Sequence, residues 1–409
     1  MTLLKWASAA ALALSAPLAA QEPPDWRPVG AQAGQVSDLA GLEQLARDFP
    51  DSSIVRLRML QPMLVAGEID RLLETLNWLK QRGYVFGAVS QEQIPKLVGA
   101  EHADAARALL LPEAEVIAAS EVIALVPAEQ LLVEGAGRTL SGKVIAGSIH
   151  SSTVSIRDGD GTWKHLSGLG GDAFGPMVRD ANAESFWLSS GAPDLNTFDR
   201  DAFHGVMLVE IASGEVTVRL RAPRDGFPSD IALDSRGMVF ASDPFNGAIY
   251  FGQAQDSDLK TLIPPGTFRS PQGLAVSEDA ARLYVSDYRY GIAIIDLETR
   301  EVSRLASDIP VILDGVDGLW RHGNELIAVQ NGTSPMRISA FMLSEDGNRV
   351  VAHRVLEQLH PEWTEPLSGS IDGDSLIYVG NGQWDRFVEG QLVEGKQPVA
   401  TAIRRLPLN

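Results

Sequence analysis

The sequence predicts a mainly β protein, a six-bladed β-propeller preceded by a small α-helical region. Three observations carry that prediction. The apolar grain changes from helical to strand-like near Pro112; a unit made of strands alone then recurs, with matched positions 43 and 45 residues apart; and apolar β runs stand at both ends of the β part. A period in the forties built only of short strands is the mark of propeller blades.

The elements follow in chain order. "MTLLKWASAAALALSAPLAAQEPP" has one early charge, Lys5, then a small-and-apolar stretch and Ala19-Ala20 before a polar segment. That is the layout of a cleavable secretory leader over residues 1–20, with 21–36 as a linker. The apolar part is too short to span a bilayer, so the expectation is a periplasmic or secreted protein with no membrane insertion once the leader is cut.

Residues 37–112 read as helical. "SDLAGLEQLARDFP" offers Ser37 as a cap and a stripe of Leu39, Leu42 and Leu45. Two further stripes, Ile54 to Leu64 and Ile69 to Leu79, meet at Gly67-Glu68, and Pro62 is expected to kink the first. A third pair falls near Glu92–Val98 and Ala103–Leu110. Two helices joined by a Gly turn resemble a tetratricopeptide hairpin over about one repeat, without its aromatic signature. The plainer expectation is a helical cap packed on the next domain.

From 113 to 409 the chain reads as the propeller. Units begin at Val133, Phe174, Phe227, Ser270, Gly315 and Glu365, each an apolar strand, a polar turn, an aliphatic strand and another turn. "EVIALV" before the first unit and "VATAIRRLPL" at the end are the strands expected to share one blade and close the ring, which removes exposed edges.

Composition narrows the function. The chain has no cysteine, which in an exported protein excludes disulfides, thiolate metal sites, covalent haem and cysteine nucleophiles. Formal charge is −19, and loss of Lys5 with the leader takes it to −20. So acidic a surface repels phosphate backbones and anionic lipid, which excludes nucleic acid and membrane surfaces as primary partners. A small-molecule substrate is expected instead, with a protein partner docking through the helical region as the alternative.

Chemistry in a propeller gathers where the inner strands open onto one mouth of the axial channel. The residues just before those strands are Glu134, Phe174, Ser229, Gln272, Asp317 and Leu367. Two carboxylates, an amide and a hydroxyl make an oxygen-rich ring suited to calcium or magnesium, with zinc less natural in the absence of histidine. Asp243, Asp287, Asn331 and Asn381 recur at equivalent turns and read as turn formers, as does Asp314 in the loop before the fifth unit. The Asn-Gly pairs at 246, 331 and 381 read as hairpin turns. Trp320, Trp363 and Trp384 suit either a sugar-like ligand or packing between blades. No serine-hydrolase elbow, phosphate loop or haem motif is present.

"PQGLAVSEDAARLYVSD" (Pro271–Asp287) and "DGLWRHGNELIAV" (Asp317–Val329) resemble the gluconolactonase/regucalcin-like six-bladed propellers, the likeness running from about Val133 to Leu408. That resemblance implies a divalent metal at the mouth held by Glu, Asn and Asp of three blades. It also implies hydrolysis of lactones or related esters, with the Asp as general base. The Glu falls on Glu134 and the Asp on Asp317. The Asn position holds Gln272, whose extra methylene pushes the amide oxygen outward. A substrate-contacting position falls on Ser229, and Phe174 and Leu367 would wall a small ligand. The implied protein is an exported, metal-dependent hydrolase with Asp317 and Glu134 as catalytic groups. The second reading is a non-catalytic scaffold. A quinone-dependent sugar dehydrogenase would need Arg and His at the six mouth positions, which offer neither.

Overall fold

The protein, described by a computed structural model over residues 22–180, 184–191, 199, 201–388 and 390–409, is a six-bladed β-propeller with five α-helices before it. The expected leader lies outside the described residues. Among them no helix is long and apolar enough to cross a membrane.

Five blades run inside to outside in chain order. They start with the strands Val133–Arg138, Phe174–Arg179, Ile231–Leu233, Pro271–Val276 and Gly318–His322, and the fifth gains the short strand Ala306–Ser307, which pairs parallel with its outermost strand Arg349–Gln358. The sixth blade takes Gly369–Asp372, Ser375–Val379 and Thr401–Pro407 from the C-terminal end, and its outer strand, Glu121–Val126, comes from before the first blade. Glu121 pairs with Arg405 and Val126 with Thr401, so the two end runs close the ring as the sequence predicts. The inner strands of neighbouring blades touch around the full circle. They lie so close that a Cβ on Gly135 would stand 2.1 Å from Gly175 O, and one on Gly273 2.3 Å from Leu319 N. Glycine follows the mouth residue in these blades because no side chain fits there.

The helices are α1 (Leu39–Asp48), α2 (Ser53–Ala66), α3 (Ile69–Gln81), α4 (Ala88–Leu97) and α5 (Ala103–Leu110). Asp38, one residue past the expected Ser37, caps α1 by accepting from Gly41 N. Helix α2 runs on through Pro62 and stops at Gly67, whose φ of 72° is the left-handed C-cap the Gly turn predicts.

The helical region and the propeller share one core. Leu42, Leu45, Leu72, Leu76 and Leu79 pack in the same cluster as Phe240, Ile249, Leu283 and Ile295 of the third and fourth blades, and each such buried leucine contributes roughly 2 kcal/mol. The segment expected as a linker joins this core: Trp26 and Val29 are buried, and Trp26 meets Phe49 edge-on with ring centroids 5.0 Å apart. The helical faces consumed here lend the tetratricopeptide likeness no support.

Asp314 does not serve a local turn. Its fully buried carboxylate accepts from Ser52 Oγ (3.0 Å), Ser53 N (2.9 Å), Ser53 Oγ (3.0 Å) and Ile54 N (2.7 Å), a cap for α2 supplied from the loop before the fifth blade. That loop is further tied by Leu313 N to Asp51 O and Arg82 Nε to Val311 O, both at the helical region.

Candidate functional site

At one mouth of the channel lies a cavity of about 630 Å³. Its wall includes Glu134, Ser229, Gln272, Asp317 and Leu367, five of the six mouth positions read from the repeat. The sixth differs. Phe174 pairs with Ser190 and is buried among Ile145, Val154, Met177 and Leu188, while Gly175 and Pro176 face the cavity in its place. Bulges explain both outcomes. The ladder slips between Val133 and Gly135, between Pro271 and Leu274, and between Phe174 and Met177. An unpaired bulge residue is re-aimed out of the sheet. In the first and fourth blades that places Glu134 and Gln272 at the mouth. In the second it falls on Gly175-Pro176, one residue past the position that the repeat matches.

The mouth carboxylates are held by donors that leave oxygens over. Trp384 Nε1 donates to Glu134 Oε1. Asn331 Nδ2 donates to Asp317 Oδ2 at 3.1 Å and to Pro366 O at 3.2 Å, while its Oδ1 accepts from Tyr288 OH at 3.0 Å. Asn331 is thus a site residue and not the expected turn former, because its amide turns inward to Asp317. Asp243 and Asp287 do act as turn formers, Asp243 Oδ1 accepting from Phe245 N and Asn246 N and Asp287 from Arg289 N, whereas Asn381 reaches across to the last strand, its Oδ1 accepting from Ala402 N and its Nδ2 donating to Ala400 O.

A third acid, Glu365, lines the same cavity, and its carboxylate has no hydrogen-bond partner among the described residues. Among the described residues the only cationic side chain in the wall is Arg269, and none of the three acids is in an ion pair. Crowding and burial set their protonation. Burial, then the charges of Asp317 and Glu365, push Glu134 well above the usual carboxylate range, and the indole bond only partly offsets them. Burial holds Asp317 up at about 6, with the Asn331 bond pulling it back. Glu365 is pushed to about 7 by burial, Asp317 and Asp385 in that order. Burial and the same acids raise the Tyr288 phenol, which stays neutral and able to donate. Deeper in, Asp230 is 5% exposed with Oδ2 unpartnered, and burial first, with Asp317 adding to it, favours its protonated form.

Several of these residues escape the repeat reading. Tyr288 and Asn331, 43 residues apart, sit just after the second strands of their blades, and Gly191 and Pro244, at the same place in two other blades, also line the cavity. The signal was a second ring at the same period, one step farther out. Glu365 stands ahead of its blade's inner strand and has no periodic signal. Of the tryptophans only Trp384 reaches the cavity; Trp320 and Trp363 pack against the cluster between the last two blades.

Whether the residues suit a divalent cation is a matter of free oxygens. Glu134 Oε2, Asp317 Oδ1 and Gln272 Oε1 have no donor among the described residues, since Gln272 Nε2 is the group engaged, to Ser270 Oγ at 3.2 Å. Three unpartnered oxygens from three blades, two of them on crowded acids, fit a hard cation in chemistry. Among the described residues no group of three or more Asp, Glu, His or Cys has metal-ligating spacing, so the Gln272 amide is essential to such a set.

No family model and no curated protein sequence matches the chain. A protein of unknown function from Bacteroides thetaiotaomicron superposes with a TM-score of 0.51 at 13% identity, covering 72% of this chain and 76% of that one. A virginiamycin B lyase from Staphylococcus aureus gives 0.48 at 12% identity, over 70% and 99%. A gluconolactonase from Xanthomonas campestris gives 0.45 at 13%, over 73% and 99%. At 13% identity the first of these likenesses bears on the fold alone.

Proposed function

We propose that the chain is an exported hydrolase of the lactone or ester class, acting on a small neutral or sugar-derived substrate at the channel mouth with the help of a divalent cation. One observation carries the reading: three carboxylates line one cavity whose only cation among the described residues is Arg269, and burial raises the pKa of each. Glu134, Gln272 and Asp317 are the residues that would hold the ion, calcium suiting this all-oxygen set best. When bound, such an ion neutralises the crowding and polarises an acyl oxygen.

The remaining work falls to side chains. Trp384 and Asn331 fix the orientation of Glu134 and Asp317, leaving one oxygen of each without a donor among the described residues. Glu365, near 7 and unpartnered, is the group placed to take a proton from the attacking water, which frees Asp317 from a double role. Ser229, Tyr288 and the apolar side of Leu367 bound the space a substrate would fill. The test is a calcium titration of the purified protein by calorimetry beside hydrolysis of a panel of γ- and δ-lactones. Saturable binding at one site, turnover that chelator removes, and loss of both in Asp317→Asn are expected. Neither binding nor turnover in the unaltered protein would end the proposal.

A non-catalytic scaffold is favoured by one feature, an open apolar cleft of about 370 Å³ on the helical region lined by Leu60, Leu64, Leu72, Ile94, Leu97 and Val98. Deleting the helices cannot test it, because they complete the propeller's core. Leu97→Glu, at a residue 57% exposed, leaves that core intact and should abolish partner capture on this reading only.

A further inference from the structure

A second cavity, of about 370 Å³, lies at the seam between the helical region and the fifth blade, and its lining shares no residue with the mouth cavity. The C-terminal end of α3 and the residues after it, Lys80 to Val85, form one wall, and Arg337, His353, Val355 and Gln358 of the fifth blade form the other. Its charge is unusual for so acidic a chain. Lys80, Arg82 and Arg337 all line it, against one acid, Glu113, which is 71% exposed and pairs with Lys80 at 2.8 Å.

Among the described residues neither guanidinium has a carboxylate in ion-pair contact; the opposite charges that act on them, Asp51 on Arg82 and Asp314 on Arg337, do so at a distance. Arg337 is 2% exposed; its Nε donates to Gln330 Oε1 and its Nη1 to Arg82 O, both neutral acceptors, and its Nη2 has no partner. Arg82 donates only to the carbonyls of Val311 and Trp78 and stacks on the Trp78 ring 4.0 Å from its centroid. Burial draws Arg337 down only to about 10, so it is cationic at neutral pH, whereas burial and Arg337 together hold His353 neutral, at about 4. Nearby Asp314 is committed to capping α2. A buried guanidinium with a free N–H and no anion in contact is a costly arrangement that a bound anion relieves.

We propose that this seam binds the phosphate group of a small molecule or free phosphate, held between Arg82 and Arg337 with Lys80 at the rim. Planar guanidinium forks match phosphate oxygens in pairs, and three cations in one cleft favour a dianion over a monocarboxylate. Because both walls are needed, the anion would also tie the helical region to the fifth blade.

Thermal unfolding and calorimetry with inorganic phosphate, with glycerol 3-phosphate, and with acetate and chloride at matched ionic strength test this. Saturable binding of one or both phosphates with a rise in the melting midpoint is expected, the tighter of the two identifying free or esterified phosphate as the source. Arg82→Gln should weaken it about tenfold or more, the loss of one charge-assisted hydrogen bond. No saturable phosphate binding, or an equal rise with acetate and chloride, overturns the proposal. Should Arg82→Gln fail to fold, selenate soaked into crystals of the unaltered protein reads the site by anomalous scattering. A peak between Arg82 and Arg337 supports the proposal, and a peak elsewhere or none sinks it.

Discussion

Glu365 is the residue in which the electrostatics of the mouth are easiest to isolate, because it has a raised pKa and no hydrogen bond to lose. Folding lifts its pKa from an ordinary 4.5 to about 7, so the fold favours the protonated form. Its contribution is therefore neutral below 4.5, becomes a penalty as pH rises, and is a full penalty above 7. Glu365→Gln mimics the protonated state. In chelator, its melting midpoint should match the unaltered protein near pH 4 and exceed it at pH 8, by stability on the order of 2 kcal/mol. A variant that is less stable at pH 8 would show the crowding to be relieved in the free protein. Asn331 argues the complementary point. It both restrains Asp317 and reaches Tyr288 and Pro366, so Asn331→Ala should lower calcium affinity roughly 10–100-fold by calorimetry, as loss of an outer-shell partner does. Unchanged affinity would remove Asp317 from the cation set.

At the scale of elements, one loop couples helix α2 to the mouth of the propeller. Asp314 caps α2, and three residues later the same loop delivers Asp317 to the mouth. Asp314→Ala leaves the first amides of α2 and the Ser53 hydroxyl without their acceptor, while Ser52 Oγ keeps Arg289 O, at a cost of about 2–4 kcal/mol by chemical denaturation. It should also weaken calcium binding through the displaced loop, which Asp314→Asn, keeping one acceptor oxygen, should partly restore. A loss of stability with calcium affinity intact would mean that the loop positions Asp317 without help from the helices. The same contact marks a limit of reading by pattern. Glu134, Gln272 and Asp317 are legible because every blade repeats them at one place, whereas the partners of Asp314 lie some 260 residues earlier in the chain. No local spacing encodes such a contact. Phe174 fails for a different reason: a bulge moves the cavity-facing residue by one, and apolar periodicity does not register a single unpaired residue. Glu365 has no counterpart in other blades, so repetition is silent about it.

For the whole molecule the outstanding question is whether helices and propeller are one folding unit. The sequence divides them at Pro112 on the change from helical to strand periodicity, and that division is real at the level of elements. Packing overrides it: Leu76 and Leu79 of α3 share a cluster with Leu283 and Ile295 of the fourth blade, and Trp26 packs on Phe268 in the same cluster, the rings tilted and their centroids 5.4 Å apart. The ring adds its own coupling. The strand that completes the sixth blade comes from the segment after α5, and on the way that segment crosses the fifth blade, where the buried Glu357 accepts from Ala119 N, Ser120 N and Ser120 Oγ. Loss of the helices would expose one face of the third and fourth blades, and loss of the closing strand would open an edge of the sixth. Neither half therefore has a complete core or a complete hydrogen-bond ladder alone. A single cooperative transition is expected in scanning calorimetry, with near-ultraviolet signals from the tryptophans of both regions disappearing together. Val126→Asp, at a fully buried position of the closing strand, should lower the midpoint of that one transition. If it instead splits the transition in two, with the helical signal persisting after the sheet has melted, the shared core is too weak to couple them and Pro112 is a true domain boundary.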